Sequence, residues 1–187
     1  MKPILQSESA ECGLACLAMV ANHHGNNVDL RTLRQRFSVS LKGATLTQLI
    51  RVAGALHMSA RPVRLELDEM SQLQVPAIVH WNLNHFVVLL RVQQSWRGEI
   101  SFVILDPAIG ERQLSTTEVS KYFTGVALEL SPTDAFERRK VVESISWREL
   151  TGKIVGLRRA VGKIILLALA LEILSLLSPL FGQFVFD

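Results

Sequence analysis

Apolar residues recur at helical spacing in the first third of the chain and gather into short β-branched runs through its middle. From Cys12 onward, Leu14, Ala15, Leu17, Ala18, Val20 and Ala21 predict a helix facing a core. Ser7 and Ser9 upstream are candidate caps, and Glu11 supplies the negative charge that a first turn favours. Gly25 falls where a left-handed C-terminal cap is expected. Residues 28–37 carry Val28, Leu30, Leu33 and Phe37 on one face, with Asp29 as a cap and a basic outer face. Residues 45–56 predict a third helix, capped by Thr45 and packing Leu46, Leu49, Ile50 and Ala53, after a loop at 38–44. Strand-like runs follow at 60–67, 76–81, 85–92 and 100–105, the first assigned to a sheet edge because Pro62 removes a ladder donor. Short turns between the last three make an antiparallel meander the economical topology. Asp106 to Gly110 reads as a turn, Ser115 with Glu118 as a capping box opening a helix to Tyr122, and residues 126–130 as a last strand. Three helices before a meander give an α+β fold class rather than alternating βαβ units.

The pattern changes after Ser131. Residues 131–146 read as a polar linker, and residues 147–162 as a basic amphipathic helix with Trp147, Leu150, Ile154 and Leu157 on one face, suited to a membrane surface. Residues 163–187 contain an apolar run, 164–186, of the length needed to cross a bilayer. Its interruptions include Glu172, which favours the competing reading as a buried helix of a larger soluble domain. Between Arg138 and Lys163, eight basic residues stand against Glu143 and Glu149, which places the start of the span on the cytoplasmic side. The chain is thus expected to be a fragment of a longer membrane protein whose N-terminal part stays in the cytosol. A formal net charge of +3 over 187 residues gives no footprint for nucleic acid. No Gly-rich phosphate loop ending in Gly-Lys-Ser/Thr occurs, so no residue here is suited to ATP.

The chemistry centres on Cys12. A cysteine in the first turn lies at the positive end of the helix dipole, which favours the thiolate. The competing reading is a small hydrophobe in a core helix. Cys16, one turn deeper between Ala15 and Leu17, is expected to pack; its spacing from Cys12 does not fit the usual redox dithiol, and two cysteines on one helix form no disulfide framework. A thiol nucleophile needs a base, a group to orient that base, and oxyanion donors. Of the five histidines, His23 and His24 end the cysteine's own helix, His57 follows the third helix, and His80 is expected to pack or cap a turn. His85 opens a strand beside Asn84, where clefts form. Asp106 ends the next strand, placed to fix the tautomer of His85, though before Pro107 it is equally a turn former. Gln6 is placed to donate its amide to an oxyanion beside the Cys12 N–H. The acidic cluster Glu66, Asp68 and Glu69 reads as a solvated helix start, and no metal site is expected.

Gln6, the run Glu11-Cys12-Gly13-Leu14-Ala15-Cys16-Leu17-Ala18-Met19, Gly43-Ala44-Thr45, His80-Trp81 with His85-Phe86-Val87-Val88-Leu89, Asp106-Pro107-Ala108 and the stretch from Tyr122 to Glu129 together resemble the bacteriocin-processing peptidase domain of certain ABC exporters, of the colicin V (microcin) type. The resemblance covers roughly residues 1–130, and the tail resembles such an exporter's elbow helix and first membrane span. It implies a papain-like cysteine peptidase that cuts a leader peptide after Gly-Gly or Gly-Ala while the attached transporter exports the product. By position, Cys12 matches the nucleophile, His85 the base, Asp106 its orienting carboxylate and Gln6 the oxyanion donor. The peptidase is expected to need no cofactor, with ATP expected at a nucleotide-binding domain not among these residues. Expected partners are the leader peptide of a bacteriocin precursor, the exporter's own membrane and ATP-binding domains, a second copy of the exporter, a periplasmic adaptor and an outer-membrane channel. Two alternatives keep the fold: an inert docking module that binds export substrates, and a thiol-dependent acyl transferase.

Overall fold

The computed structural model describes residues 1–37, 43–96, 98–138 and 157–185. They belong to two compact units, Met1–Val142 and Glu143–Asp187. In the first, helices α1 (Cys12–His23), α2 (Leu30–Arg36) and α3 (Leu46–Ala55) precede a six-stranded sheet. Its strands are β1 (Met58–Arg64), β2 (Ala77–Trp81), β3 (His85–Gln94), β4 (Ile100–Asp106), β5 (Gly110–Ser115) and β6 (Phe123–Pro132), with α4 (Thr116–Tyr122) before the last. All pairings are antiparallel, in the order β1-β6-β2-β3-β4-β5. The α+β class, the β2–β3–β4 meander and the edge position of β1 agree with the sequence reading.

α1 is buried on every side, from Cys12 to Ala21. This explains why its apolar residues fill almost every position instead of one stripe. It packs with α2 and α3 against Ile78, Phe86, Val88, Leu105, Leu128 and Leu130 on one face of the sheet. The opposite face carries Val79, Val87, Leu89 and Ile104, covered by Met70 and by Val119 of α4. The central strands are buried on both faces, so their sequences run apolar without alternating.

Local signals fixed most helix ends. Asp29 accepts the Thr32 N–H at 2.7 Å, and Thr45 with Gln48 and Ser115 with Glu118 form capping boxes. Gly25, at φ +97°, ends α1: its N–H bonds the Asn22 carbonyl, while the Asn26 N–H reaches Ala21 at 3.0 Å. That pair of bonds is the Schellman arrangement, which needs a left-handed residue at this point. Gly13 is required for another reason. A Cβ there would lie 2.7 Å from Leu49 Cδ2 and 3.2 Å from Ala44 Cβ, so its absence lets α1 approach α3 directly beside Cys12.

Three expectations need correction. The N-cap of α1 is Glu11, reached through a 3-10 turn at Ser9–Glu11, and not a serine. Residues 110–115, where the sequence reading has only the end of a turn at Gly110 and a helix cap at Ser115, form the edge strand β5; only Gly110 and Leu114 are buried in it, so its pattern reads as polar. The last strand starts at Phe123 and runs to Pro132, longer than 126–130, and it lies between β1 and β2.

The second unit contributes α5 (Leu157–Val185), 29 residues long, along which Ile164, Leu166 and Leu174 are exposed. Among the described residues no helix is long and apolar enough to cross a membrane. Most of the expected surface helix (147–156), part of the linker (139–146), part of the loop before α3 (38–42) and Phe186 of the expected span lie outside the described residues.

Candidate active site

Cys12 is the first residue of α1 and only 2% exposed. His85 is the first residue of β3 and Asp106 the last of β4. The antiparallel register, with Val88 opposite Leu105, brings the two strand ends together. His85 Nε2 and Asp106 Oδ1 lie 2.8 Å apart, and the same oxygen accepts the Ala108 N–H at 2.8 Å. Nε2 is thereby taken, which leaves Nδ1 for the hydrogen bond that His85 shares with the Cys12 thiol.

These contacts set the charges. Burial pulls the imidazole of His85 toward the neutral form, but the hydrogen bonds to Asp106 and Cys12 outweigh it and push the pKa up to about 9. Asp106 is driven the other way: burial opposes ionisation, and the bonds from His85 and Ala108 more than offset it, holding the carboxyl below its ordinary value. At neutral pH the pair is therefore imidazolium and carboxylate, with the Cys12 sulfur beside the imidazolium.

The turn that delivers His85 is held from the far side. Asn82 (φ +49°) and Leu83 (φ +64°) both take left-handed backbone conformations between β2 and β3. The Asn82 N–H bonds the Tyr122 carbonyl at 2.8 Å, and the Trp81 and Tyr122 rings stack with centroids 5.6 Å apart.

Gln6 is tied to the same corner of the molecule. Its backbone N–H bonds the carbonyl of Pro107, next to Asp106, at 2.8 Å, and its side-chain Oε1 is buried without a hydrogen-bond partner among the described residues. The remaining histidines stand elsewhere. His80 fills a bulge in the β2–β6 pairing: its Nδ1 lies 2.7 Å from Thr124 Oγ1, and that hydroxyl donates to the His80 carbonyl. With its proton so committed, Thr124 must accept from Nδ1–H, a structural role. His24 packs edge-on against Phe136 at the other end of α1. Of the Glu66, Asp68 and Glu69 cluster, Asp68 and Glu69 open a 3-10 turn (Asp68–Gln72), and Glu69 accepts the N–H of Glu66 just before it at 2.8 Å. Among the described residues no group of three or more His, Cys, Asp or Glu is placed to hold a metal.

Cys16 is the counter-example to Cys12. Its thiol donates to the Phe86 carbonyl at 3.3 Å, and burial, reinforced by the nearby Cys12 and Asp106, raises its pKa well above the ordinary thiol value. Iodoacetamide is accordingly expected to alkylate Cys12 at least about tenfold faster than Cys16 near neutral pH. Peptide mapping after timed quenching reads both rates, and equal rates would count against the assignment.

Sequence reasoning missed the support around these groups: the Ala108 N–H on Asp106, the Phe86 carbonyl on Cys16, and Arg34, which meets Glu11 beside Cys12. Only Asp106-Pro107-Ala108 carried a local signal, since an aspartate often accepts the N–H two residues ahead.

A helix-start thiol, an imidazole on an adjoining sheet and a buried carboxylate on the next strand define a protein equipped for thiol-based acyl chemistry. The chain belongs to the peptidase C39 family, cysteine peptidases whose family model matches residues 1–135. It is 45% identical over 184 residues to the colicin V secretion/processing ATP-binding protein CvaB of Escherichia coli, and 43% identical over 184 residues to the probable microcin-H47 secretion/processing ATP-binding protein MchF of the same organism. Each match takes in 98% of this chain but 26% of the relative, so the chain spans about a quarter of their length. Among solved structures it is similar to a double-glycine-motif protease from an AMS/PCAT transporter in complex with the leader peptide (TM-score 0.64, 32% identity, covering 71% of this chain and 93% of that one). It is also similar to the peptidase domain of Streptococcus ComA, a bi-functional ABC transporter involved in quorum sensing (TM-score 0.63, 27% identity, covering 71% and 98%).

Proposed function

We propose that residues 1–130 form a papain-like cysteine endopeptidase that removes a double-glycine leader from a bacteriocin or microcin precursor, as part of an ABC exporter. The observation that carries this reading is His85, bonded on one side to Asp106 and on the other to Cys12. The Cys12 thiolate attacks the carbonyl carbon after the second small residue. The oxyanion is received by the Gln6 amide and the Cys12 N–H. Imidazolium His85 protonates the departing amine as the C–N bond breaks, leaving a thioester on Cys12. His85, now neutral, takes a proton from water, which attacks the thioester and releases the leader while the thiolate re-forms. Asp106 orients the ring and favours its charged form throughout. A pair of glycines suits a narrow cleft that excludes side chains.

Residues 131–146 act as a linker, 147–162 as the juxtamembrane helix, and 163–187 as the start of the first span, in an inner-membrane exporter whose peptidase faces the cytoplasm. ATP is used by a nucleotide-binding domain outside these residues, in a homodimer that works with a periplasmic adaptor and an outer-membrane channel. A chain ended at Val142, the limit of the compact first unit, is expected to stay folded without detergent and to cut a double-glycine peptide. Circular dichroism and product masses check this. Aggregation or loss of fold would show that the tail belongs to the core.

A further inference from the structure

The chain just before Cys12 is folded around one side chain. Glu11 is 4% exposed. Its Oε2 accepts the N–H of Ser7 at 3.1 Å, the N–H of Glu8 at 3.3 Å and Nη2 of Arg34 at 2.9 Å, while its Oε1 pairs with Arg34 Nε. A buried carboxylate is costly unless paired and hydrogen-bonded. Here the forked guanidinium from α2 neutralises it and two backbone donors complete its shell. The result is a closed loop over residues 7–11. Gln6 stands at its entrance, and Cys12 at its exit. Gln6 is fixed a second time, by its N–H bond to Pro107 at 2.8 Å.

We propose that Glu11 is a positioning residue: its carboxylate, braced by Arg34, sets the placement of the Gln6 amide relative to the Cys12 thiol and so preforms the oxyanion site. The proposal rests on the roles given above to Cys12 and Gln6. Glu11 itself touches neither substrate nor reacting atoms. The rival is a purely structural ion pair that holds α2 onto α1. The two differ in what they do to the reaction. Misplacing an oxyanion donor weakens the transition state and leaves ground-state leader binding intact. Loosening the fold weakens both.

The test uses the full 187-residue chain in mild detergent with a double-glycine leader peptide. Glu11→Ala is expected to lower kcat by roughly 10- to 10²-fold with KM within about twofold. Glu11→Gln keeps an acceptor oxygen for the Ser7 and Glu8 amides and is expected to stay within about fivefold of wild type. Arg34→Ala frees the carboxylate from α2 and is expected to cost several-fold in kcat, again with KM unchanged. A leader peptide ending in a glycine aldehyde forms a hemithioacetal with Cys12 and places its oxygen in the oxyanion site. Glu11→Ala should weaken this inhibitor by the factor lost from kcat/KM, while leader affinity in a Cys12→Ala background stays the same. Wild-type kcat in Glu11→Ala, equal losses of leader and aldehyde binding, or Glu11→Gln no better than Glu11→Ala would each overturn the proposal. Should Glu11→Ala fail to fold, Arg34→Ala carries the same comparison, and wild-type kcat there overturns it. A wild-type chain that binds the leader without cutting it overturns instead the roles of Cys12 and Gln6.

Discussion

Cys12→Ala and His85→Ala should each reduce leader cleavage by about 10⁴-fold or more, to a common floor, because a nucleophile and its base act as one unit. The double substitution should be no worse than either alone. Product formation under single-turnover conditions measures all three. The reason lies in the geometry: Nε2 of His85 is held by Asp106, so the ring has only Nδ1 for the thiol. Without Cys12 no thioester forms, and without His85 nothing protonates the leaving amine. Additive losses, or activity surviving in His85→Ala, would require another base. His80 is poorly suited to supply one, with its Nδ1 committed to Thr124 and burial lowering its pKa.

Asp106→Asn is expected to lose less, roughly 10²-fold at most, because it misorients the base without removing it. Its clearer signature is in pH dependence. In the wild-type protein the imidazolium persists to about pH 9, so the basic limb of kcat/KM should fall there. With the carboxylate gone, that limb should move down toward the ordinary histidine value of 6.5. Stability follows the same two groups. His85, with a raised pKa, contributes stability that is complete below 6.5 and fades as the pH rises through about 9. Asp106, with a lowered pKa, contributes stability that is complete above its ordinary 3.8 and is lost as the pH falls below it. The difference in melting temperature between wild type and Asp106→Asn should therefore be widest between those two ordinary values and close above pH 9. A basic limb that does not move would place the support of His85 elsewhere, with Asn82 and Asn84 the first residues to test.

What could be read in advance followed the range of the interaction. α1 to α4 were legible because capping and 3.6-residue periodicity are local, and β2 to β4 because each is a compact apolar run between turns. β5 escaped notice because an edge strand with Leu114 as its one buried side chain larger than glycine carries almost no apolar signal. The insertion of β6 between β1 and β2 pairs Arg61 with Glu129 and Ile78 with Leu128. Nothing local announces such a pairing. The site divides in the same way. Cys12 at a helix start and His85 and Asp106 at adjoining strand ends follow from local structure plus one hairpin. Their convergence on each other depends on α1 packing across the sheet, and the sequence supported it through family resemblance more than through spacing. Glu11 was visible as a first-turn charge. Its buried pairing with Arg34 was not, because that depends on how α2 docks beside the start of α1.

The most direct test is the mass spectrum of a double-glycine leader peptide after incubation with the wild-type chain and, in parallel, with Cys12→Ala. A single cut after the second small residue, present with wild type and absent with the variant, is the result predicted here. Equal binding by both proteins with no cut in either would contradict it and identify a docking module in place of a peptidase.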